Sequence, residues 1–430
     1  MLQRVGKYEV KQLLGKGASG SVYLATDPFG QRDVAVKVLE NLSGDPEQAR
    51  RQLRLFQNEA ALAGKLRHPH IVSILDAGLE DVTGGEPLRY LVMEVVDGPA
   101  LTRYCEPAEL LQPRKAVEIA YKCCKALEFA NTIGVVHRDI KPANILTAGI
   151  KPAQLDIKVS DFGAAQLTGS EVTQVSGVGS PAYMSPEQVR GEEVDFRTDM
   201  FSLGGVLYHL LTGRRPFEGS GTYELVNGIL NLTPAAPSSL RHDVPSELDK
   251  VVARALGKTR DERYSSWDGF AEALARLLGQ QRSSTDLSDA EKFSAARRLA
   301  FFDRFSEVEL WEAVRASHWS LHPAGEVLIK EGTADEHFYI VASGLLKVTK
   351  RGKLLNAVSP GECVGEMAYA RRDAQPRTAT VTAVEPSWAM RMRVGAVDAL
   401  SDSTRGRFTE AFLAIMAARL TMLGGRLTAT

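Results

Sequence analysis

The segment HRDIKPAN, residues 137–144, places Asp139, Lys141 and Asn144 in one short stretch, and DFG at 161–163 adds Asp161. A carboxylate such as Asp139 accepts the hydrogen bond of a hydroxyl nucleophile, and a lysine beside it offsets charge on a transferring phosphoryl group. Asn144 and Asp161 offer oxygens of the kind that hold Mg2+ against β- and γ-phosphates. Upstream, Gly15, Gly17 and Gly20 form G-x-G-x-x-G. Lacking Cβ atoms there, the loop Leu14, Gly15, Lys16, Gly17, Ala18, Ser19, Gly20 can lie on a triphosphate and point N–H groups at it. Val22 follows in SVYLAT, which reads as a strand, whereas a dinucleotide fold needs a helix after the glycines. Lys37 in VAVK lies about 20 residues downstream, also on a strand. Glu59 in FQNEAALAGKL lies on the next helical segment, placed to pair with Lys37.

Singly, each feature has a plain explanation. Three glycines occur in many turns, Lys37 could be a surface lysine, and Glu59 could belong to a solvated helix face. Their joint order removes those readings. Residues 8–278 resemble, over their whole length, the bacterial branch of the eukaryotic-type serine/threonine protein kinases. The resemblance implies transfer of the γ-phosphoryl group of ATP to protein Ser/Thr hydroxyls, with Mg2+ or Mn2+. A lysine at 141 followed by proline is similar to the serine/threonine class rather than the tyrosine class. GSPAYMSPEQ at 179–188 resembles the end of an activation segment, with SPE where APE is usual. By this resemblance Glu187 pairs with Arg263, Ser180 contacts Asp139 and Lys141, and Asp199 braces the catalytic loop. YLVMEVVDG at 90–98 is similar to the hinge, with Met93 as gatekeeper and Glu94 and Val96 offering backbone bonds to adenine. Val22, Ala35, Asp97, Ala143 and Leu146 complete the implied nucleotide pocket. Arg138 precedes the catalytic aspartate, where a cation commonly awaits a phosphate. Of Thr168, Ser170, Thr173, Ser176 and Ser180, the best autophosphorylation candidates are Thr173 and Ser176. A catalytically silent pseudokinase scaffold with a ligand-sensing β-roll is the alternative from another functional class.

VGEMAYARRDAQPRTATV at 364–381 carries a second constellation. Glu366 follows Gly365 at what reads as a helix start, and Arg377 precedes a strand. A helix terminus plus an arginine makes an anion cradle, and a nearby carboxylate can accept a sugar hydroxyl. The segment resembles the phosphate-binding cassette of cyclic nucleotide-binding domains, with its G-E-x-A start and P-R-x-A-T end. FDRFSEVELWEAV, HPAGEVLIKEG and FYIVASGLLKV match the rest of that layout. The resemblance implies that Arg377 grips a cyclic phosphate and Glu366 the ribose 2′-hydroxyl. Gly365, Met367, Ala368 and Thr378 would complete the wall, and the ligand is cyclic AMP or cyclic GMP. Two departures stand out. Val364 replaces the usual phenylalanine, and the interval from Glu366 to Arg377 is about two residues longer than in regulatory subunits of the cyclic AMP-dependent kinase. The extra Arg371, Arg372 and Asp373 either bulge outward or mark a domain that has lost its nucleotide.

These side chains need two kinds of scaffold. A small sheet comes first, followed from about residue 196 by mostly helical chain. Helices are expected over 47–66 and 107–133, and strands around 71–77 and 88–95. Residues 279–296 read as a polar linker whose far end slides into a helix. A helical pattern over 296–316, short strands over 321–393 and a helix over 406–423 with a Gly424-Gly425 stop suggest a β-roll, or jelly roll, with flanking helices over 297–423. The fold class is therefore multidomain α+β: a bilobal protein kinase fold (N-lobe 8–96, C-lobe 97–278) and then the β-roll. The 430 residues also exceed what one ordinary core accommodates. Lys plus Arg number 52 against 53 for Asp plus Glu, which argues against nucleic acid as the main partner. Four cysteines without ligand spacing, no apolar leader and no membrane-length apolar run point to the reducing cytoplasm. Expected partners are protein substrates, the chain itself in autophosphorylation, a cyclic nucleotide, and a second copy as homodimer.

Overall fold

A computed structural model describes residues 2–17, 20–39, 46–80, 88–149, 155–167, 181–280, 287–371 and 376–427. The chain divides into two units, Met1–Gln280 and Gln281–Thr430.

The first unit opens with β1 (Arg4–Val5), β2 (Tyr8–Gly17), β3 (Gly20–Asp27), β4 (Arg32–Leu39), α1 (Pro46–Ala61), β5 (Ile74–Glu80) and β6 (Leu88–Glu94). The strands form one antiparallel sheet in the order β1-β2-β3-β4-β6-β5. Alternation in β3 and β4 sends Ala25, Val34, Val36 and Val38 into a core with Tyr8, Tyr90 and Val92. The opposite face of β4 carries Ala35 and Lys37, so strand period alone puts this lysine on the side away from that core. The helical remainder runs α2 (Pro113–Thr132), β7 (Val135–Val136), β8 (Ile145–Ala148), β9 (Asp156–Val159), β10 (Gln166–Leu167), α3 (Pro186–Arg190), α4 (Phe196–Thr212), α5 (Thr222–Asn231), α6 (Pro237–Leu240), α7 (Ser246–Ala255) and α8 (Trp267–Gln280). Helix α4 is apolar nearly all round and buried, and α2 and α7 pack on it. The two-stranded ladder β8-β9 lies between the HRD and DFG segments, and β7 and β10, paired with each other, flank them on either side.

The second unit contains α9 (Asp289–Arg297), α10 (Glu307–Arg315), β11 (His318–His322), β12 (Val327–Ile329), β13 (His337–Ser343), β14 (Leu346–Lys350), β15 (Lys353–Val358), β16 (Cys363–Val364), α11 (Glu366–Arg371), β17 (Thr380–Ala383), β18 (Ser387–Arg393), α12 (Val394–Asp398) and α13 (Asp402–Leu427). Its strands form two four-stranded antiparallel sheets, β11-β18-β13-β16 and β12-β17-β14-β15. Residues from both, including Tyr339, Val341, Leu346, Val358, Val381 and Ala389, share one core.

Several boundaries differ from the sequence expectation. The strand expected at 71–77 begins at Ile74, because residues 66–73 run as a turn-rich connection after His68-Pro69. The long helix begins at Pro113, a residue suited to a first turn, and not at 107. The stretch expected as linker contains α9, started by a Ser288–Glu291 capping box and anchored by Phe293, whose ring stacks on Trp311 at 4.3 Å. Its few apolar residues are enough because one large aromatic does the packing. The expected single helix over 296–316 is broken between α9 and α10, where Phe301, Phe302 and Phe305 turn inward. Helix α13 continues through Gly424-Gly425 to Leu427 instead of stopping there. Among the described residues, no helix is long and apolar enough to cross a membrane.

Candidate functional site

The Lys37 ammonium lies 2.8 Å from Glu59 Oε2 on α1 and 2.9 Å from Asp161 Oδ1. Burial by itself would push this lysine down, but the two carboxylates outweigh it and hold its pKa above the ordinary range. Burial likewise disfavours the charged Asp161, yet Lys37 keeps its carboxyl below the usual range. Glu59 is pushed up by its complete burial, with Lys37 offsetting part of that cost. Lysine, glutamate and aspartate, scattered along the sequence, thus meet as one partly buried charge cluster.

Asp161 has φ +64°, a left-handed conformation, and leads into the 3-10 turn Phe162–Ala164. Phe162 is buried with its ring 4.5 Å from that of His137. His137 and Arg138 donate their backbone N–H groups to the Asp199 carboxylate, both at 2.7 Å, and Arg138 also has positive φ. Complete burial raises the Asp199 pKa, so it is these donors that make its carboxylate tenable. Asp199 therefore clamps a turn that a non-glycine residue enters only at a cost of ~1–3 kcal/mol. Within the turn, Asp139 Oδ2 accepts from Lys141 Nζ at 2.7 Å and from Asn144 Nδ2 at 3.0 Å. The Asn144 carbonyl accepts from the backbone N–H of Ser160 at 2.8 Å, which joins this loop to the residue preceding Asp161.

Val22, Ala35, Met93, Val96 and Leu146 gather in one apolar cluster with Val72, Ile74 and Val95. The slot expected for a base is thus assembled from both the sheet and β8. Leu14, Gly15 and Lys16 are exposed on β2, while Ala18 and Ser19 lie outside the described residues. Gly17 ends β2 and pairs with Gly20. The glycines differ in kind. Gly20 has φ +132° and a Cβ there would sit 2.1 Å from the Val38 carbonyl oxygen, so sheet packing already demands glycine. A Cβ at Gly15 meets nothing within 4 Å. The Glu94 side chain is engaged by the Ser73 N–H and Lys158 Nζ, at 2.7 and 2.9 Å. Asp97 accepts from the Gly149 N–H at 3.3 Å, and Ala143 is exposed.

Glu187 and Arg263 form a buried two-pronged pair at 2.7 and 2.9 Å, supported by Thr198 at 2.6 Å. Burial opposes the charge on Glu187, but Arg263 holds its pKa below the ordinary value. Gln188 donates to the Arg138 carbonyl at 2.7 Å and so ties α3 to the Asp139 loop. Sequence reading passed over Gln188, which only its neighbourhood identifies. The Arg138 Nε is buried with no hydrogen-bond partner among the described residues. Thr168, Ser170, Thr173, Ser176 and Ser180 lie outside the described residues.

In the second unit, Gly365 has φ +82° and a Cβ there would lie 2.9 Å from the His337 carbonyl oxygen. Arg377 is buried beneath it. Its Nη1 donates to the Gly365 carbonyl at 3.2 Å, and its Nη2 donates to Asp335 Oδ2 at 3.2 Å and to the His337 carbonyl. The Arg377 Nε is buried with no hydrogen-bond partner among the described residues. Glu366 is buried at the start of α11, the Ala368 N–H bonds the Gly365 carbonyl at 3.1 Å, and Met367 and Thr378 are exposed. Arg371 ends α11, and Arg372 and Asp373 lie outside the described residues. Asp335 and His337 were not anticipated. Nothing local in TADEHFYIV marks them, and only the fold brings them to Arg377.

Two family models match this chain: protein kinase domain over residues 8–276 and cyclic nucleotide-binding domain over residues 321–404. The serine/threonine-protein kinase PknB of Mycolicibacterium smegmatis is 41% identical over 295 residues, covering 67% of this chain and 46% of that protein. A probable serine/threonine-protein kinase PknB of Bifidobacterium longum is 35% identical over 274 residues, covering 62% and 39%. The chain spans about half the length, or somewhat less, of the curated relatives it matches. Among solved structures, a double mutant of the PknI kinase domain of Mycobacterium tuberculosis is similar, with TM-score 0.50 and 29% identity. That match covers 65% of this chain and 99% of the other. With the charge cluster, the clamped loop and the apolar slot in place, the chain belongs to the protein kinase family, and a cyclic nucleotide-binding domain follows its kinase domain.

Proposed function

We propose that the chain is a serine/threonine protein kinase that transfers the γ-phosphoryl group of ATP to protein hydroxyls, with residues 8–278 as catalytic domain. The observation that carries this reading is the meeting of Lys37, Glu59 and Asp161 beside a loop in which Asp139 is held by Lys141 and Asn144. Asp139 orients the substrate hydroxyl and takes its proton as that oxygen bonds to the γ-phosphorus. The bond from the γ-phosphorus to the β,γ-bridging oxygen breaks, and ADP leaves with that electron pair. Lys141 offsets charge on the transferring group, and Lys37 positions the α/β-phosphates. The apolar slot under Met93 receives the base. Asn144 and Asp161 present hard oxygens suited to Mg2+ or Mn2+, which supplies charge neutralisation of the phosphates when bound. Arg138, with its unpartnered Nε, suits a phosphate carried by the segment holding Thr173 and Ser176. The curated relatives are named as kinases, which supports an active enzyme over a silent scaffold.

The β-roll is the proposed receptor for cyclic AMP or cyclic GMP, with Arg377 at the phosphate and Glu366 at the ribose. A nucleotide that alters kinase activity would in turn bind with an affinity set by the kinase state. Four buried cysteines outside any disulfide accord with a cytoplasmic setting. The test is incubation with radiolabelled ATP of the wild-type chain and of Asp139→Asn, with and without each cyclic nucleotide. Label in the wild type alone supports the reading, and equal label in both chains overturns it.

A further inference from the structure

We propose that His337 is a proton-responsive member of the Arg377 anion site, and that protonating it tightens the hold of that site on a cyclic phosphate. The proposal rests on the cyclic nucleotide reading given above.

One carboxylate serves two neighbours. Asp335 Oδ1 lies 2.6 Å from His337 Nδ1 and also accepts the His337 backbone N–H at 3.1 Å. Asp335 Oδ2 lies 3.2 Å from Arg377 Nη2. With a neutral imidazole, the charges of Asp335 and Arg377 cancel, and an incoming anion meets a guanidinium already partly spent on an aspartate. Protonating the imidazole changes two things in the same direction. The trio gains a net positive charge, and the aspartate is drawn toward the imidazolium, which frees the guanidinium for a ligand. Among the described residues the buried Nε of Arg377 has no hydrogen-bond partner, so the guanidinium has a donor beyond its bonds to Asp335 and the two carbonyls. The His337 side chain is 34% exposed, so solvent protons reach it.

The surroundings do not mask the effect. Arg393 stands opposite His337 on β18 but is paired with Glu336 at 2.9 Å. Arg391 stands opposite Tyr339, and Glu366 opens α11, which packs on β13. Burial disfavours a charged Asp335, yet His337 and Arg377 hold its carboxyl below the ordinary range, so it stays ionised at neutral pH. Of these group types, only an imidazole ordinarily titrates between about pH 5.5 and 7.5. By linkage, an anion that prefers the protonated site takes up a proton when it binds, and its affinity rises as pH falls.

The test is calorimetric titration of the full chain, its kinase site filled with ADP and Mg2+, using cyclic AMP and cyclic GMP across that pH window. Two buffers of different ionisation heat report the protons exchanged. The expected result is an affinity about fivefold tighter at the acid end, with proton uptake on binding, and loss of both in His337→Gln. A flat profile without uptake in the wild type overturns the proposal and leaves nucleotide binding intact; this measurement needs no variant. Equal uptake in a folded His337→Gln also overturns it. Absence of binding heat with either nucleotide at every pH overturns the nucleotide reading, and the proposal with it.

Discussion

In each unit a cation meets an aspartate distant in sequence, but the two sites are balanced differently. Lys37 reaches Asp161 across 124 residues and is shared with Glu59, while Arg377 reaches Asp335 across 42 residues and spends its other bonds on backbone carbonyls. A lysine is a point charge that two carboxylates can surround, whereas a guanidinium is a flat fork that fits carbonyls and an acid edge-on. Around Lys37 and Lys141 stand Glu59, Asp139 and Asp161, a surplus of negative charge that a polyphosphate meets only together with divalent cations. Around Arg377 a single aspartate, Asp335, offsets the guanidinium, so the charge state of the His337 imidazole beside it changes the net charge of the trio. A site with surplus negative charge suits a ligand that arrives with divalent cations, whereas at Arg377 the net charge is set by the neighbouring side chains.

The comparison breaks most visibly at Asp139. Asp139→Asn is expected to lower phosphoryl transfer by about 10³-fold in a radiolabel assay, since it removes the general base. Next in size is the buried pair of the kinase unit. Arg263→Met leaves Glu187 charged and unpaired and is expected to cost about 3–4 kcal/mol in urea unfolding. The sign with pH follows from Glu187, whose folded pKa lies below its unfolded value. The pair's contribution is complete above the ordinary glutamate pKa and is lost as pH falls through the depressed one. Wild-type stability should therefore drop in acid more steeply than that of Arg263→Met, as read from urea midpoints.

In the second unit, Arg377→Lys keeps the charge but loses the fork, and a weakening of about 10²-fold in cyclic nucleotide affinity is expected by calorimetry. A smaller effect separates two of the three glycines of the glycine loop. Gly20→Ala is expected to cost about 2 kcal/mol in thermal unfolding because of its φ and the Val38 carbonyl, while Gly15→Ala stays within about 0.5 kcal/mol. Smallest is Tyr369→Phe, which removes a 3.0 Å bond from α11 to Thr409 on α13. A loss of about 1 kcal/mol and faster amide exchange in residues 366–371 would measure how firmly the anion site is tied to the last helix.

Much of the kinase site was legible because its parts are local words: HRDIKPAN, DFG, VAVK and the glycine loop each place their side chains by short-range geometry. Strand period put Lys37 away from the sheet core, and helix placement brought Glu59 toward it. The roles of Gln188 and Asp335 were not legible, since neither sits in a motif and each acts through a partner far along the chain. Helix α9 was half read: the polar stretch was expected to slide into a helix at its far end, but its start at the Ser288 cap and the stacking of Phe293 on Trp311 are revealed by no periodicity. The meaning of Gly20 was only half read. Phosphate approach is one reason for glycine, but the Val38 carbonyl is a second that holds without any ligand.

The glycine loop and the HRD and DFG segments identified the protein kinase family from sequence alone, because these residue types stand at set spacings on strands and turns whose geometry is regular. Tertiary structure decided how charge is shared: Asp161 with Lys37, Asp199 with the strained Arg138 turn, and Asp335 between Arg377 and His337. Those pairings depend on which side chains burial forces together, and desolvation makes each buried charge answer to whatever neighbour the fold supplies.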